Sequence, residues 1–186
     1  MQEENLIEQK LSSEEIFDGK ILHVYKDEVR LPNGDKATRE VIRHIGAVCI
    51  VPVLEDGRVI VERQFRYPVN CVITEIPAGK LDDPDEDPLT AAQRELREET
   101  GYTAKEWKDL GTFLPAAAYC DELIHIFLAR GLTMGAQELD EDEFLNVEAV
   151  PLETLVQEIL NGSIPDAKTQ AAILKAYLLL RRTDNL

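Results

Sequence analysis

The chain has 186 residues, enough for one domain with a substantial core, and its apolar fraction of 44% is ordinary for a globular protein. Its charge is not: 36 acids stand against 20 bases, a net of −16, with no basic tract carrying interleaved aromatics, which excludes nucleic acid as a partner. No apolar run approaches the length of a membrane span, so no membrane partner is expected, and an anionic small substrate would need bound cations or a local arginine cluster to approach.

In chain order, the first 45 residues read as strands. ILHVYKDEVRL, the turn Pro32-Asn33-Gly34-Asp35 and KATREVIRHI predict a long hairpin. AVCIVPVLEDGRVIVERQF predicts a second hairpin turning at Glu55-Asp56-Gly57, and the nearly all-apolar AVCIVPVL predicts a central strand buried on both faces. CVITEI is a short strand running into Pro77-Ala78-Gly79. A helix follows, with Asp87 as its cap, Pro88 at its first position and Gly101 at its left-handed end. WKDLGTFL, LIHIFLAR and FLNVEAVPL then read as strands, and LETLVQEILNG and KTQAAILKAYLLLRR as two closing helices. Strands outnumber helices without strict alternation, which predicts the α+β class with helices packed on a mixed sheet. The start, MQEENLIEQK, lacks the apolar stretch of a signal peptide. Cys49, Cys71 and Cys120 are odd in number and widely spaced, and read as buried or semi-buried thiols of a reducing, cytoplasmic compartment. His23, His44 and His125 lie in strand-like runs and read as structural.

The capped helix carries Arg94-Glu95-Leu96-Arg97-Glu98-Glu99. Its Leu89, Ala92 and Leu96 make a narrow apolar stripe. Glu95, Glu98 and Glu99 stand at i, i+3 and i+4 on one face, where like charges oppose the helix by about 0.2–0.5 kcal/mol per pair. Such a cluster makes sense if a hard divalent cation sits among the oxygens; the alternative is a salt-bridged surface helix. Arg94 can reach Glu98 one turn on and hold a ligand carboxylate in place.

These residues resemble the Nudix hydrolases, whose pattern is G-x5-E-x7-R-E-U-x-E-E-x-G-U, with U a bulky apolar residue. Gly79, Glu86, Arg94, Glu95, Leu96, Glu98, Glu99, Gly101 and Tyr102 fill it. Six residues rather than five separate Gly79 from Glu86. Either the loop carries one extra residue, which keeps the second spacing intact, or Asp85 takes the acidic position. The runs Gln64-Phe65-Arg66-Tyr67-Pro68, Glu75-Ile76-Pro77-Ala78-Gly79 and Asp166-Ala167-Lys168-Thr169 are similar to the ADP-ribose pyrophosphatase branch. In place of the branch's Ser-Pro-Gly-aromatic loop stands Ala116-Ala117-Ala118-Tyr119, a departure that bears on the substrate more than on the reaction.

The resemblance implies a Nudix fold, an α/β/α sandwich with a mixed β-sheet over residues 46–186. It adds an N-terminal antiparallel β-subdomain over residues 1–45 that builds a homodimer. The implied chemistry is hydrolysis of a nucleoside diphosphate linked to a further group, with Mg²⁺ as cofactor and Mn²⁺ able to substitute. Glu95, Glu99, Glu143 and the Ala78 carbonyl are the implied metal ligands, with Glu98 as a further ligand or water-holding group. Glu141 is the implied general base, with Glu98 as its rival. Arg94 joins them as the residue that holds the carboxylates. Arg66 suits a phosphate clamp, since a guanidinium fork fits phosphate oxygens, although a strand arginine paired with an acid is the alternative. Glu75 and Gly79 complete the expected substrate-binding set, Gly79 by allowing close backbone approach. Phe17, Tyr25 and Tyr67 are candidate base stackers. Two other functions stay open: hydrolysis of a different dinucleotide or sugar nucleotide, and a Nudix-fold sensor that binds without cleaving.

Overall fold

The computed structural model describes residues 3–139 and 143–183, which divide into two units. The first comprises the residues up to Ile45 together with Leu114–Leu123. Its strands β1 (Gln9–Asp18), β2 (His23–Arg30) and β3 (Lys36–Arg43) form an antiparallel sheet in that order. The β2–β3 hairpin is as the sequence predicts. Gly34 takes φ 92° and donates its N–H to the Leu31 carbonyl at 2.9 Å, and Asn33 Oδ1 accepts from the Asp35 N–H at 3.0 Å. Strand β1 has no strong signal in its sequence, because QKLSSEEIFD lacks apolar alternation and its side chains are almost all exposed. Pairing with β2 imposes it, with two register shifts along the ladder. The Leu114–Leu123 segment is tied to the last turn of β3. The Ile42 N–H donates to the Tyr119 carbonyl at 2.7 Å, and Arg43 Nη1 donates to Asp121 Oδ2 at 3.0 Å.

The second unit holds β4 (Ala47–Pro52), β5 (Arg58–Arg66), β6 (Cys71–Glu75), β7 (Ala78–Lys80), α1 (Pro88–Thr100), β8 (Tyr102–Thr103), β9 (Glu106–Phe113), β10 (Ile124–Arg130), β11 (Thr133–Met134), β12 (Leu145–Pro151), α2 (Leu152–Leu160) and α3 (Ala167–Thr183). Its four-stranded sheet has the order β7-β4-β10-β9. It is mixed: β4 and β10 run parallel, while β7 and β9 are antiparallel to their neighbours. Every residue of β4 is buried, because the pleat feeds two cores. Ala47, Cys49 and Val51 pack with Leu155, Ile173 and Ala176 of α2 and α3. Val48 and Ile50 pack with Ala91, Ala92 and Leu96 of α1 on the other side. This is the α/β/α sandwich, and α1, with Leu81 beside it, covers one face of β4.

The second predicted hairpin needs correcting. Its turn forms, with Gly57 at φ 83° donating to the Leu54 carbonyl at 3.0 Å. Beyond a single bridge between Val53 and Val59, however, the strands part. Strand β5 pairs with β6 and β12 in a separate three-stranded sheet, and β4 takes β10 and β7. The apolar face of β5 is better covered by Val150 of β12 and the α2 side of the core than by a lone hairpin partner. The thiols need correcting as well: Cys49 is buried and Cys120 half-buried, but Cys71 is exposed on β6. Burial pushes the Cys49 thiol up to about 12, so it stays protonated and inert. Among the described residues no helix is long and apolar enough to cross a membrane.

Candidate active site

Helix α1 is held at both ends by the residues that its sequence nominates. Asp87 accepts from the Thr90 N–H at 2.9 Å, Pro88 begins the first turn, and Gly101 at φ 75° donates to the Arg97 carbonyl at 2.8 Å. Burial of Ala91, Ala92 and Leu96 fixes its rotation. That rotation turns Glu95 and Glu99 toward β7. Glu99 is only 5% exposed and its Oε2 accepts from the Ala78 N–H at 2.9 Å. Glu95 lies against the next residue so closely that a Cβ on Gly79 would stand 2.0 Å from its carboxyl carbon. Glycine is what lets Glu95 lie this close.

Arg94 gathers the acids around it. Nη1 donates to Glu95 Oε1 at 2.7 Å and to Glu98 Oε2 at 3.3 Å, and Nη2 donates to the Lys80 carbonyl at 3.2 Å. Nη2 also meets Glu86 Oε2 at 3.5 Å, and Glu86 Oε2 accepts from the Asp82 N–H at 2.7 Å. Glu86, not Asp85, therefore faces the helix. Asp85 is exposed, and its backbone N–H donates to Asp83 Oδ1 at 2.8 Å within the loop. Asp82 stands 3.3 Å from Arg94 Nε at ion-pair distance without hydrogen-bond alignment.

A second group of charges lies on the β5–β6 pair. Arg66 Nε donates to Glu75 Oε2 at 2.7 Å, while Lys168 of α3 bonds the other oxygen of Glu75 and also pairs with Asp166 at 3.2 Å. Glu75 and Glu62 face each other directly across the ladder and are each 3% exposed. The end of α3 that brings Lys168 is pinned by its neighbour. Buried Thr169 Oγ1 accepts from the Ile76 N–H at 3.0 Å, and Asp166 Oδ2 accepts from the Thr169 N–H at 2.9 Å.

The electrostatics join the two groups. Burial, followed by the charge of Glu62 and then of Glu95, pushes Glu99 well above the carboxylate range, and the Ala78 amide only partly opposes this. Burial pushes Glu95 to about 7 against the pull of Arg94. Burial and then Glu75 push Glu62 to about 8, with Lys168 opposing. Glu143 raises all three, so its charge acts on the same space. Burial disfavours the charge on Arg94 and on Arg66, but the acids around each more than compensate, and both are raised.

The structure thus brings together Glu95, Glu98, Glu99, Arg94, Ala78, Gly79 and Glu86, and sets Arg66, Glu75 and Glu143 within the same unit. Glu141 lies outside the described residues. The segment that leads to it is anchored on α1: the Glu138 N–H donates to the Glu98 carbonyl at 3.0 Å, and the Gln137 side chain donates to the Glu99 carbonyl. The Ala116-Ala117-Ala118 loop, Phe17 and Tyr25 belong to the first unit, whereas Tyr67 stands exposed on the second. Sequence reasoning missed Glu62 and did not give Lys168 a role. The one signal for Glu62 was its place directly after Val59-Ile60-Val61, a run that is buried throughout.

The donor set suits a hard divalent cation. It is all oxygen, desolvated and in excess of its local positive charge, and Glu62 Oε1 has no hydrogen-bond partner among the described residues. The protein bonds engage Glu95 Oε1 and Glu99 Oε2. Among the described residues no three acidic side chains are gathered closely enough to enclose an ion, so the fit is one of donor chemistry.

Comparison with known proteins agrees with this geometry. The NUDIX domain matches residues 43–172, and the nucleoside diphosphate sugar hydrolase N-terminal domain matches residues 8–42. An ADP-ribose pyrophosphatase of Bacillus subtilis is 42% identical over 179 residues, 95% of each chain. A methanol dehydrogenase activator of Bacillus methanolicus is 39% identical over 94% of each. A crystal structure of an ADP compounds hydrolase superposes with a TM-score of 0.85 at 25% identity, covering 96% of this chain and 97% of that one. With the glutamate box folded as its spacing demands and the match running through most of its length, the chain belongs to the NUDIX domain family and is similar to the ADP-ribose pyrophosphatases within it.

Proposed function

We propose that this Nudix pyrophosphohydrolase cleaves the pyrophosphate bond of ADP-ribose or a related nucleoside diphosphate sugar, with Mg²⁺ as cofactor, Mn²⁺ able to substitute, and AMP and ribose 5-phosphate as products. The observation that carries the reading is the desolvated pair Glu95 and Glu99, one pressed on Gly79 and the other bonded to the Ala78 amide. Glu95, Glu99, Glu143 and the Ala78 carbonyl would hold the cation, with Glu98 beside them. Bound there, Mg²⁺ would neutralise the diphosphate and polarise a phosphoryl oxygen. The residues of the chain supply the rest. Arg94 holds Glu95 and Glu98 in position. Glu141 takes the proton of the attacking water, with Glu98 as the competing base. Arg66, oriented by Glu75, offers its guanidinium to a phosphate.

The first unit supports a homodimer. Ile16, Phe17, Ile21 and Leu22 are each about half exposed or more, an apolar surface suited to a second copy. The similarity to a methanol dehydrogenase activator favours keeping a second reading, in which another dinucleotide or sugar nucleotide is the preferred substrate.

The test is incubation with Mg²⁺ and a panel of nucleoside diphosphate compounds, with products identified by chromatography. Release of AMP and ribose 5-phosphate from ADP-ribose, abolished in Glu99→Gln, is expected. A much higher kcat/KM for another panel member selects the second reading, and tight binding without turnover rejects both.

A further inference from the structure

We propose that Lys168 is a positioning residue for Arg66. By taking one oxygen of Glu75, it keeps Arg66 from closing a two-pronged pair with that carboxylate and leaves the far edge of the guanidinium for phosphate. The inference rests on the reading of Arg66 as a phosphate clamp, and adds to it the residue that sets the clamp. Glu75 of β6 is 3% exposed, so its two oxygens take their partners from the protein. Arg66 Nε donates to Oε2 at 2.7 Å, and Lys168 Nζ donates to Oε1. Lys168 Nζ also lies 3.2 Å from Asp166 Oδ2. Four charges of alternating sign therefore run from Asp166 through Lys168 and Glu75 to Arg66.

An arginine beside a carboxylate commonly grips both oxygens at once. Here the second oxygen is taken. Arg66 is bonded through Nε, and its Nη amines, on a side chain 41% exposed, make no hydrogen bond among the described residues. For stability alone, a forked Arg66 would satisfy Glu75 without burying an ammonium, yet the Lys168 side chain is only 13% exposed. The first turn of α3, which brings the lysine, docks by other bonds. Asp166 Oδ2 accepts from the Thr169 N–H at 2.9 Å, and Thr169 Oγ1 accepts from the Ile76 N–H at 3.0 Å. Loss of the ammonium thus leaves α3 in place and frees one oxygen of Glu75. From Glu75 the chain reaches Ala78, whose amide bonds Glu99, within three residues, a span of at most about 11 Å. The anchor of Arg66 and the proposed cation centre therefore share one short stretch of backbone.

The experiment measures steady-state hydrolysis of ADP-ribose with Mg²⁺ by the full-length protein, and Mn²⁺ binding to the chelator-treated protein by electron paramagnetic resonance. Lys168→Met keeps the stem and removes the ammonium. It is expected to lower kcat/KM about 10- to 100-fold, because Arg66 closes on both oxygens of Glu75 and leaves the phosphate. The change should fall mostly on KM, as for a lost ground-state contact, with Mn²⁺ affinity unchanged. Lys168→Gln keeps one N–H for the same oxygen; it is expected to lie between the two, and it carries the test where Lys168→Met does not fold. Because Lys168 acts through Arg66, the double variant Arg66→Gln/Lys168→Met should be no worse than Arg66→Gln alone. Losses that add in the double variant, unchanged kcat/KM in Lys168→Met, or Mn²⁺ affinity that falls in step with activity overturn the proposal. Arg66→Gln separates the two levels. If it is impaired while Lys168→Met is not, only the assignment of Lys168 fails; if Arg66→Gln retains full kcat/KM, the reading of Arg66 as a phosphate clamp fails and the proposal with it.

Discussion

Replacing Gly79 with alanine isolates function from folding. The added Cβ would stand 2.0 Å from the Glu95 carboxyl carbon and 2.1 and 2.3 Å from its oxygens. Ordinary carbon contacts lie near 3.5–4.0 Å, so the carboxyl must retreat by roughly 1.5 Å. The obstacle is the far end of a flexible side chain, and Gly79 is not among the residues with positive φ, so alanine fits the backbone. Turning Glu95 off its rotamer and loosening its 2.7 Å bond to Arg94 costs on the order of 1 kcal/mol. Restricting the unfolded chain returns about 0.4–1 kcal/mol. The melting temperature is therefore expected to move by no more than about 4 °C. Activity answers differently, because a displacement of this size at a positioned group costs about 10²-fold in rate. The assay is AMP release from ADP-ribose with Mg²⁺, run on the same preparations used for calorimetry. Full activity in Gly79→Ala, or a collapse of the melting temperature in step with activity, would refute the claim that this glycine serves the approach of Glu95 rather than the fold.

Thr169→Val is the isosteric test of how α3 is docked: it strands the buried Ile76 N–H, now 3.0 Å from Thr169 Oγ1, and urea denaturation should show a loss of about 1–3 kcal/mol. In the metal-free protein, Glu62, Glu95 and Glu99 have pKa values raised above the ordinary 4.5, so the folded state binds more protons than the unfolded state between that value and about 7–8. Stability should then fall as pH rises from 5 to 8, by an amount on the order of a few kcal/mol; denaturation curves that stay flat across this window would contradict the burial of these acids. Phe17→Glu places a charge on the exposed apolar surface of the first unit, and light scattering should show the proposed dimer giving way to monomer with the melting temperature little changed.

How much of this was legible in the sequence depended on whether the signal was local. Cap, first-position proline and terminal glycine of α1 are set by neighbours in the chain, and Asp87, Pro88 and Gly101 stand where their chemistry predicts. Strand β4 announced its double burial by being wholly apolar. Strand β1 did not announce itself, because pairing with β2 rather than any apolar face makes it a strand. The Asp56-Gly57 turn was read correctly, but β4 takes β10 from 77 positions further along the chain and β5 takes β12 from 81 to 93 positions further along, and no turn encodes either choice. The site shows the same division. The glutamates of α1 follow from one short motif. The contacts of Glu75 with Lys168 and of Ile76 with Thr169 span 93 residues and exist only once α3 has docked. Glu62 carries no motif at all, and only its place at the end of the buried run Val59-Ile60-Val61 marks it.

The same carboxylates that make the site useful make the metal-free fold weaker, and the structure shows how both can hold. The like-charge spacing on α1 is unfavourable in an isolated helix, and burial of Glu99 adds to the cost. Capping at both ends, the buried stripe around Leu96 and the fork of Arg94 keep the helix in place regardless, so the acids cannot escape into water. A cation entering the proposed site would find carboxylates that are already desolvated. The free energy that repulsion withholds from the metal-free protein is returned when the ion binds, which couples cation affinity to stability in one direction. Saturation at about 100 times the dissociation constant would raise stability by about 2.7 kcal/mol. Variants that relax the repulsion, Glu99→Gln among them, should therefore gain in metal-free stability what they lose in the stabilisation by added Mg²⁺.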